Sequence, residues 1–348
     1  MSLLEIEALR VEFPGEDGPL VAVKGVDLAI EAGEVLGLVG ESGSGKSLTC
    51  RAVMQLVPEP GRVASGAVRF DGEDVLTLGK SKLRDFRAHS VGMIYQNPFG
   101  SLNPTMRAGA QIAETLRVNR GLGRSAARTE AVALLDRVGI EDPERRYRAY
   151  PHELSGGMAQ RVMIAIATAS SPRLMLADEP TTALDVTTQA QILKLLGQMR
   201  AEEGMAMLLV SHDFGVIAQA CDRVAVMYGG HIVESGPVET IYHNPEHPYT
   251  RALLNSVPEL DSAGNVQRRA ALAGHPPELS DVIPGCVFAP RCEFARPGCE
   301  TVSMKLESVG PDHHSACPVR PFAGAAAGGG EAAGAAPRTG TAPGRTEG

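Results

Sequence analysis

Apolar and polar residues change rhythm three times along this chain, and each change predicts a different kind of element. Leu4, Ile6 and Ala8, then Val26, Leu28 and Ile30, alternate with other residues in the period-two pattern of half-buried strands. Val35-Leu36-Gly37-Leu38-Val39 is a continuous apolar run, suited to a strand covered on both faces. It feeds a glycine-rich stretch, after which Lys46 to Leu56 reads as a helix stopped near Pro58. Val68–Phe70 and Val91–Tyr95 predict further strands. From about Thr105 to Ala169 the apolar spacing turns helical, as at Ile112 and Leu116 and then Ala131, Leu134, Leu135 and Val138.

Strands return at Leu174–Leu176 and Met207–Val210, with an amphipathic helix between them near Gln189 to Arg200. Val224–Tyr228, Gly229-Gly230 and Ile232-Val233 read as a hairpin with a glycine turn. The pattern is an α/β core into which a helical segment is inserted. After Pro237 prolines interrupt the chain repeatedly and regular elements become hard to read. Residues 323–348 are nearly all Ala, Gly, Pro, Thr and charged residues, a composition expected to stay disordered because it buries too little apolar area.

Composition narrows this picture without redirecting it. The chain has 348 residues, 43% hydrophobic and 21% charged, ordinary for a globular protein with room for one large domain and an appendage. A net charge of -8 argues against a broad nucleic-acid surface, which needs a basic field. No run approaches the ~20 apolar residues of a membrane span, and the N-terminus carries no secretory pattern. Any membrane association is therefore expected to be peripheral, through a partner.

Candidate chemistry begins at Gly40-Glu41-Ser42-Gly43-Ser44-Gly45-Lys46-Ser47, which satisfies G-x-x-x-x-G-K-S between a predicted strand and helix. Such glycines let backbone N–H groups turn around phosphate oxygens at a helix N-terminus. Gly40, Ser42, Gly43, Ser44, Gly45, Lys46, Ser47 and Leu48 are thus candidates for the nucleotide site. Lys46 is expected to reach the β- and γ-phosphates, and Ser47 to ligate Mg²⁺. Asp178 and Glu179 end an apolar run, where a doubly wound sheet places ligand contacts. Asp178 would hold Mg²⁺, and Glu179 would polarise the attacking water. The phosphate loop alone leaves a kinase or another P-loop fold open.

Leu154-Ser155-Gly156-Gly157-Met158-Ala159-Gln160, lying between these two segments, resembles the signature of the ATP-binding cassette (ABC) ATPases. Residues from roughly Leu3 to Ser256 are similar to an ABC nucleotide-binding domain throughout. The resemblance implies an α/β P-loop fold: a RecA-like core, an N-terminal antiparallel β subdomain and an inserted helical subdomain at about 97–170. The cassette would span 1–257, followed by a cysteine-containing extension at 258–322. It further implies that Gln96 contacts Mg²⁺ and water and that Ala183-Leu184-Asp185 forms the D-loop. His212 would contact the γ-phosphate, and Phe13 is a candidate for stacking on adenine. Ser155, Gly156 and Gly157 would serve ATP held by a second cassette, a copy of this chain or a related one.

Three further strings are similar to dipeptide/oligopeptide importers and their nickel-transporting relatives: Tyr95-Gln96-Asn97-Pro98 with Ser101-Leu102-Asn103-Pro104, Tyr150-Pro151-His152-Glu153, and Asn244-Pro245-Glu246-His247-Pro248-Tyr249-Thr250-Arg251-Ala252-Leu253-Leu254. Ala159 departs from that branch, which usually has a basic residue there. The resemblance implies an ATPase at the cytoplasmic face of the cell membrane, with two transmembrane permease subunits and an extracytoplasmic substrate-binding protein. Peptide is the expected solute; nickel, glutathione or another small solute stays open. A cassette acting on DNA or ribosomes, or a metal-dependent regulatory or redox module with secondary ATPase activity, is the rival reading.

Cys286, Cys292, Cys299 and Cys317 are separated by five, six and seventeen residues, unlike the paired spacing of common zinc ribbons. Four thiolates can hold Zn²⁺ or an iron–sulfur cluster. Gly285-Cys286-Val287-Phe288-Ala289-Pro290-Arg291-Cys292 resembles the extension in which some family members hold a 4Fe–4S cluster. That cluster is the expectation, with unliganded thiols and then zinc behind it.

Overall fold

The computed structural model describes residues 2–182, 184–256, 259–260, 266–267 and 272–322. Ala183 of the expected D-loop, and the tail at 323–348 expected to be disordered, lie outside the described residues.

The chain begins with β1 (Ser2–Phe13), β2 (Leu20–Glu31) and β3 (Val35–Val39), and the glycine loop then enters α1 (Lys46–Val53). β4 (Arg62–Phe70), β5 (Glu73–Asp74), α2 (Lys80–Asp85) and β6 (Val91–Ile94) follow. Helices then dominate: α3 (Pro98–Ser101), α4 (Ala108–Arg120), α5 (Arg124–Arg137), α6 (Pro143–Tyr147) and α7 (Gly156–Thr168). The core resumes with β7 (Leu174–Asp178), α8 (Val186–Glu203), β8 (Ala206–Ser211), α9 (Phe214–Ala220), β9 (Arg223–Tyr228) and β10 (His231–Pro237). α10 (Val238–His243), α11 (Pro248–Asn255), a short pair β11 (Glu259–Leu260) and β12 (Val266–Gln267), and a hairpin β13 (Glu307–Gly310) and β14 (His313–Ser315) complete the described elements.

Two larger sheets organise these elements. One is antiparallel, in the order β2-β1-β4-β5; the other runs β13-β14-β10-β9-β3-β8-β7-β6, with β9, β3, β8, β7 and β6 parallel. β3 is central and wholly buried, as its unbroken apolar run predicts. Its side chains divide between two cores: Val35 and Val39 join the helical segment, while Leu36 and Leu38 face the antiparallel sheet. This period-two division holds the parallel sheet between the two layers. The hairpin β13–β14 adds to the same sheet through β10, so the C-terminal segment is tied to the core by its backbone.

Two local expectations are corrected. The helix after the glycine loop ends at Val53, not Leu56. Gln55 takes a left-handed φ of 49°, and Leu56 N–H closes back on Arg51 O at 2.7 Å, a capping turn that terminates the helix ahead of Pro58. The stretch after Pro237 is also more regular than its prolines suggest. Pro248 occupies the first turn of α11, where its missing N–H costs nothing, and the His247 side chain caps that helix through Tyr249 N–H.

Candidate functional site

The glycine loop leaves the carboxyl end of β3 under tight steric constraint. A Cβ at position 40 would lie 2.0 Å from Met227 O, and Gly43 and Gly45 have φ of 80° and 108°. Side chains at these positions would collide or be strained. Lys46 is 4% exposed and folds back over the loop, donating to Gly40 O at 2.7 Å and Glu41 O at 2.9 Å. Burial lowers its pKa, while Glu179, Asp178 and Glu41 pull it back up. The amino group is thus held by carbonyls that a phosphate can replace.

The acidic end of β7 stands beside the loop. Ser47 Oγ donates to Asp178 Oδ1 at 2.7 Å. Asp178 is 2% exposed; burial raises its pKa, and the Ser47 hydrogen bond opposes that rise. Glu179 adopts φ 49°, a left-handed conformation costing on the order of 1–3 kcal/mol for a non-glycine residue. Its N–H bonds to Val210 O at 3.1 Å. This turn aims the carboxylate at a focal point. Glu179 Oε2 accepts from Gln96 Nε2 at 2.8 Å and Thr182 Oγ1 at 2.8 Å, with His212 Nδ1 at 3.3 Å.

The structure therefore brings together Gln96, Glu179 and His212 from the carboxyl ends of β6, β7 and β8, with Ser47 and Asp178 alongside. Thr182 was not anticipated from the sequence; the only signal was its place after Asp178-Glu179-Pro180. Arg291 and Tyr249 were also missed. Both reach Glu41, the second residue of the phosphate loop, from far along the chain.

Ser155, Gly156 and Gly157 occupy a different position. Ser155 caps α7, its Oγ accepting from Met158 N–H at 3.3 Å. Among the described residues, no hydrogen bond joins them to residues 40–47. Gly157 instead faces Thr188, whose methyl would lie 3.0 Å from a Cβ there. Asp185 caps the neighbouring α8 by accepting from Thr188 N–H at 2.9 Å. Two helix N-termini thus stand side by side, an arrangement suited to an anion. Ala159 is buried within α7. Phe13, at the end of β1, is half-buried with its ring against Gly61.

Cys286, Cys292, Cys299 and Cys317 are free thiols lining one small cavity, with His247 and Phe288 in the same wall. Burial raises the pKa of Cys286, Cys292 and Cys317, with Cys292 pushed up to about 11, and nearby thiols add to each rise. His247 is 1% exposed, and its Nδ1 accepts from Tyr249 N–H. Its Nε2 is buried without a hydrogen-bond partner among the described residues. Among the described residues, however, no group of three or more His, Cys, Asp or Glu side chains is placed to hold a metal ion. The expected cluster thus meets a convergence of thiols but no closed metal geometry.

A phosphate loop after a central parallel strand, an acidic pair at the end of β7 with β8 between the two strands, and a separate capped-helix signature define a nucleotide-binding cassette. Residues 23–182 match the ABC transporter family, and residues 233–299 match the oligopeptide/dipeptide transporter C-terminal region. A peptide import ATP-binding protein of Brucella abortus is 46% identical over 325 residues, covering 90% of this chain and 96% of its own length. A namesake in Brucella suis is 46% identical over 318 residues, covering 91% and 95%. The chain belongs to the ABC transporter family. Among solved structures, a dimeric post-hydrolysis state of the ATP-binding cassette MJ0796 bound to ADP and Pi superposes with a TM-score of 0.62. That match has 28% identity and covers 68% of this chain and 98% of the other. CbiO1 from Clostridium perfringens, part of an ABC transporter complex, gives 0.59 at 29% identity, covering 69% and 90%.

Proposed function

We propose that the chain is the ATP-hydrolysing subunit of a peptide importer, with Glu179 as the base that activates water. The carrying observation is the convergence of Gln96, Thr182 and His212 on one oxygen of Glu179, next to the Ser47–Asp178 pair. ATP would displace the Gly40 and Glu41 carbonyls from Lys46, so the ammonium exchanges loop oxygens for phosphate oxygens. Phe13 is assigned to stacking on the adenine. Gln96 orients the water against Glu179, and His212 turns from the carboxylate to the γ-phosphate.

Ser47, Asp178 and Gln96 offer adjacent oxygen donors, the chemistry Mg²⁺ takes, and are the residues that would hold it. When bound, Mg²⁺ neutralises charge on the phosphates. Among the described residues, the signature Ser155-Gly156-Gly157 and Asp185 make no hydrogen bond to this chain's own phosphate loop, which fits their serving the nucleotide of a second cassette. The described residues contain no helix long and apolar enough to cross a membrane. Attachment at the cytoplasmic face through two permease subunits, fed by a substrate-binding protein, follows from this reading. Peptide as the solute rests on the names of the Brucella relatives and on the match to the oligopeptide/dipeptide region.

We also assign a 4Fe–4S cluster to Cys286, Cys292, Cys299 and Cys317. Its support is the four-thiol donor set around one cavity and the buried His247 Nε2, a donor in want of an acceptor such as sulfur.

The reading is tested by Glu179→Gln. Loss of a general base lowers turnover by about 100-fold or more while ATP still binds. Turnover close to that of the unaltered protein would remove Glu179 from the base role.

A further inference from the structure

The second residue of the phosphate loop is held by the cysteine-bearing segment. Arg291 grips the Glu41 carboxylate with two nitrogens, Nη1 to Oε2 at 2.6 Å and Nη2 to Oε1 at 3.1 Å. The guanidinium is itself fixed: Nε donates to Ala273 O at 3.0 Å and Nη1 to Tyr228 Oη at 3.1 Å. The Arg291 side chain is 7% exposed and that of Glu41 25%, so this pair is shielded, unlike an ordinary surface ion pair. Glu41 N–H donates to Tyr249 Oη at 2.8 Å, and Glu41 O accepts from Lys46. Ser44 N–H also donates to Glu41 O, at 3.3 Å, so every polar group of Glu41 is engaged and two of its four partners, Tyr249 and Arg291, lie C-terminal to β10.

The grip leads directly to the thiols. Arg291 closes the single helical turn Ala289–Arg291 and precedes Cys292; Phe288, just before that turn, lines the cysteine cavity. Phe288 packs on Tyr228 and Tyr249 at ring-centroid distances of 5.3 Å and 5.4 Å, and all three side chains are almost wholly buried. On the same side, Gly229 meets Pro277 and Val287, while Gly230 N–H donates to Ser44 O at 3.1 Å. A densely packed path connects the cavity wall to the loop, with little room to absorb a displacement of the Cys286–Cys292 segment.

We propose that Arg291 is a positioning residue for nucleotide binding: it draws the Glu41 carboxylate out of the phosphate cradle and ties the loop's affinity for ATP to the occupant of the cysteine cavity. The physical reason is charge. A free carboxylate on the second loop residue opposes a triphosphate and competes for Lys46; paired with a fixed guanidinium it does neither. The link to the cavity rests on the iron–sulfur assignment, whereas the role of Arg291 toward Glu41 stands without it.

The test uses the full-length chain, purified anaerobically, with Mg-ATP affinity read by a fluorescent ATP analogue and steady-state kcat and KM measured alongside. Arg291→Gln is expected to weaken ATP binding about tenfold, a typical coupling between sites, and to raise KM with kcat nearly unchanged. Glu41→Gln/Arg291→Gln is expected to recover most of that loss, because no unpaired carboxylate remains. Unchanged melting temperatures establish that the variants fold. A double variant as weak as the sum of the two single changes would make Arg291 a structural brace and overturn the proposal.

In a second arm, the unaltered chain is treated anaerobically with equal parts of Fe²⁺ and Fe³⁺ and with sulfide, and then with an iron chelator. Affinity for ATP should change about fivefold between the two states, and Arg291→Gln should abolish that change. Cluster assembly without any change in affinity overturns the link to the cavity. Failure to assemble a cluster sinks the cofactor assignment and the link with it, and the Arg291–Glu41 comparison still decides the rest.

Discussion

The phosphate loop and the cysteine cavity are both buried polar sites, but they treat their polar groups in opposite ways. In the loop every charged group has a partner from the chain itself: Lys46 on two carbonyls, Asp178 on Ser47, Glu179 on three side chains. In the cavity, four thiols line one wall and His247 Nε2 has no hydrogen-bond partner among the described residues. The first site pairs its own charged groups and works by exchange, so a nucleotide arrives by replacing bonds already made. The second leaves a buried donor unsatisfied, a cost of roughly 1–3 kcal/mol that an occupant removes. A site that must cycle gains from the first design, and a site that keeps its occupant from the second.

The sharpest way to break the comparison is at the exchanging site. Lys46→Ala removes a charge whose loop partners are replaceable, so the fold should survive while ATP binding weakens by about 100-fold, equivalent to one or two charge-assisted hydrogen bonds. Equilibrium titration with a fluorescent nucleotide checks this; binding within threefold of the unaltered chain would show that the loop does not use its lysine. At the retaining site, Cys286→Ser/Cys299→Ser is expected to abolish iron and acid-labile sulfide in anaerobically purified protein. Iron and sulfide should be present in the unaltered chain at about four each per chain. Colourless, metal-free unaltered protein would make the cavity one of empty thiols.

A separate effect, on stability and not on either site's binding, lies at His231. Burial, with Lys24 adding to it, lowers its pKa to about 4, against roughly 6.5 in the unfolded chain. Its folded form resists protonation, so its penalty is absent above pH 6.5 and grows as pH falls toward 4. Stability should decline by at most about 1.4 kcal/mol per pH unit across that window. His231→Gln should flatten this decline in denaturant titrations at pH 6.5, 5.5 and 4.5. An unchanged slope would assign the acid sensitivity to other groups.

The legible parts of the molecule were those written in contiguous residues. The apolar run of β3, the glycine loop and the acidic end of β7 each carry their own local cause. Gln96 and His212 gained meaning through family resemblance, and the structure gives both a common target in Glu179. What stayed hidden depends on distance along the chain or on backbone conformation. Arg291 looks like any surface arginine until the fold sets it against Glu41, 250 positions earlier. The left-handed turn at Glu179 has no glycine to announce it; three side chains and a strand hydrogen bond hold it. Thr182 escaped for the same reason, since only that turn brings its hydroxyl to Oε2.

The central claim is that ATP hydrolysis at this site drives peptide import. The most direct measurement is ATP turnover by the chain copurified with its membrane subunits, with peptide-loaded and peptide-free substrate-binding protein. Turnover should rise severalfold with the peptide-loaded form and stay at its basal rate with nickel or glutathione in place of peptide. Stimulation by one of those solutes but not by peptide would contradict the assignment.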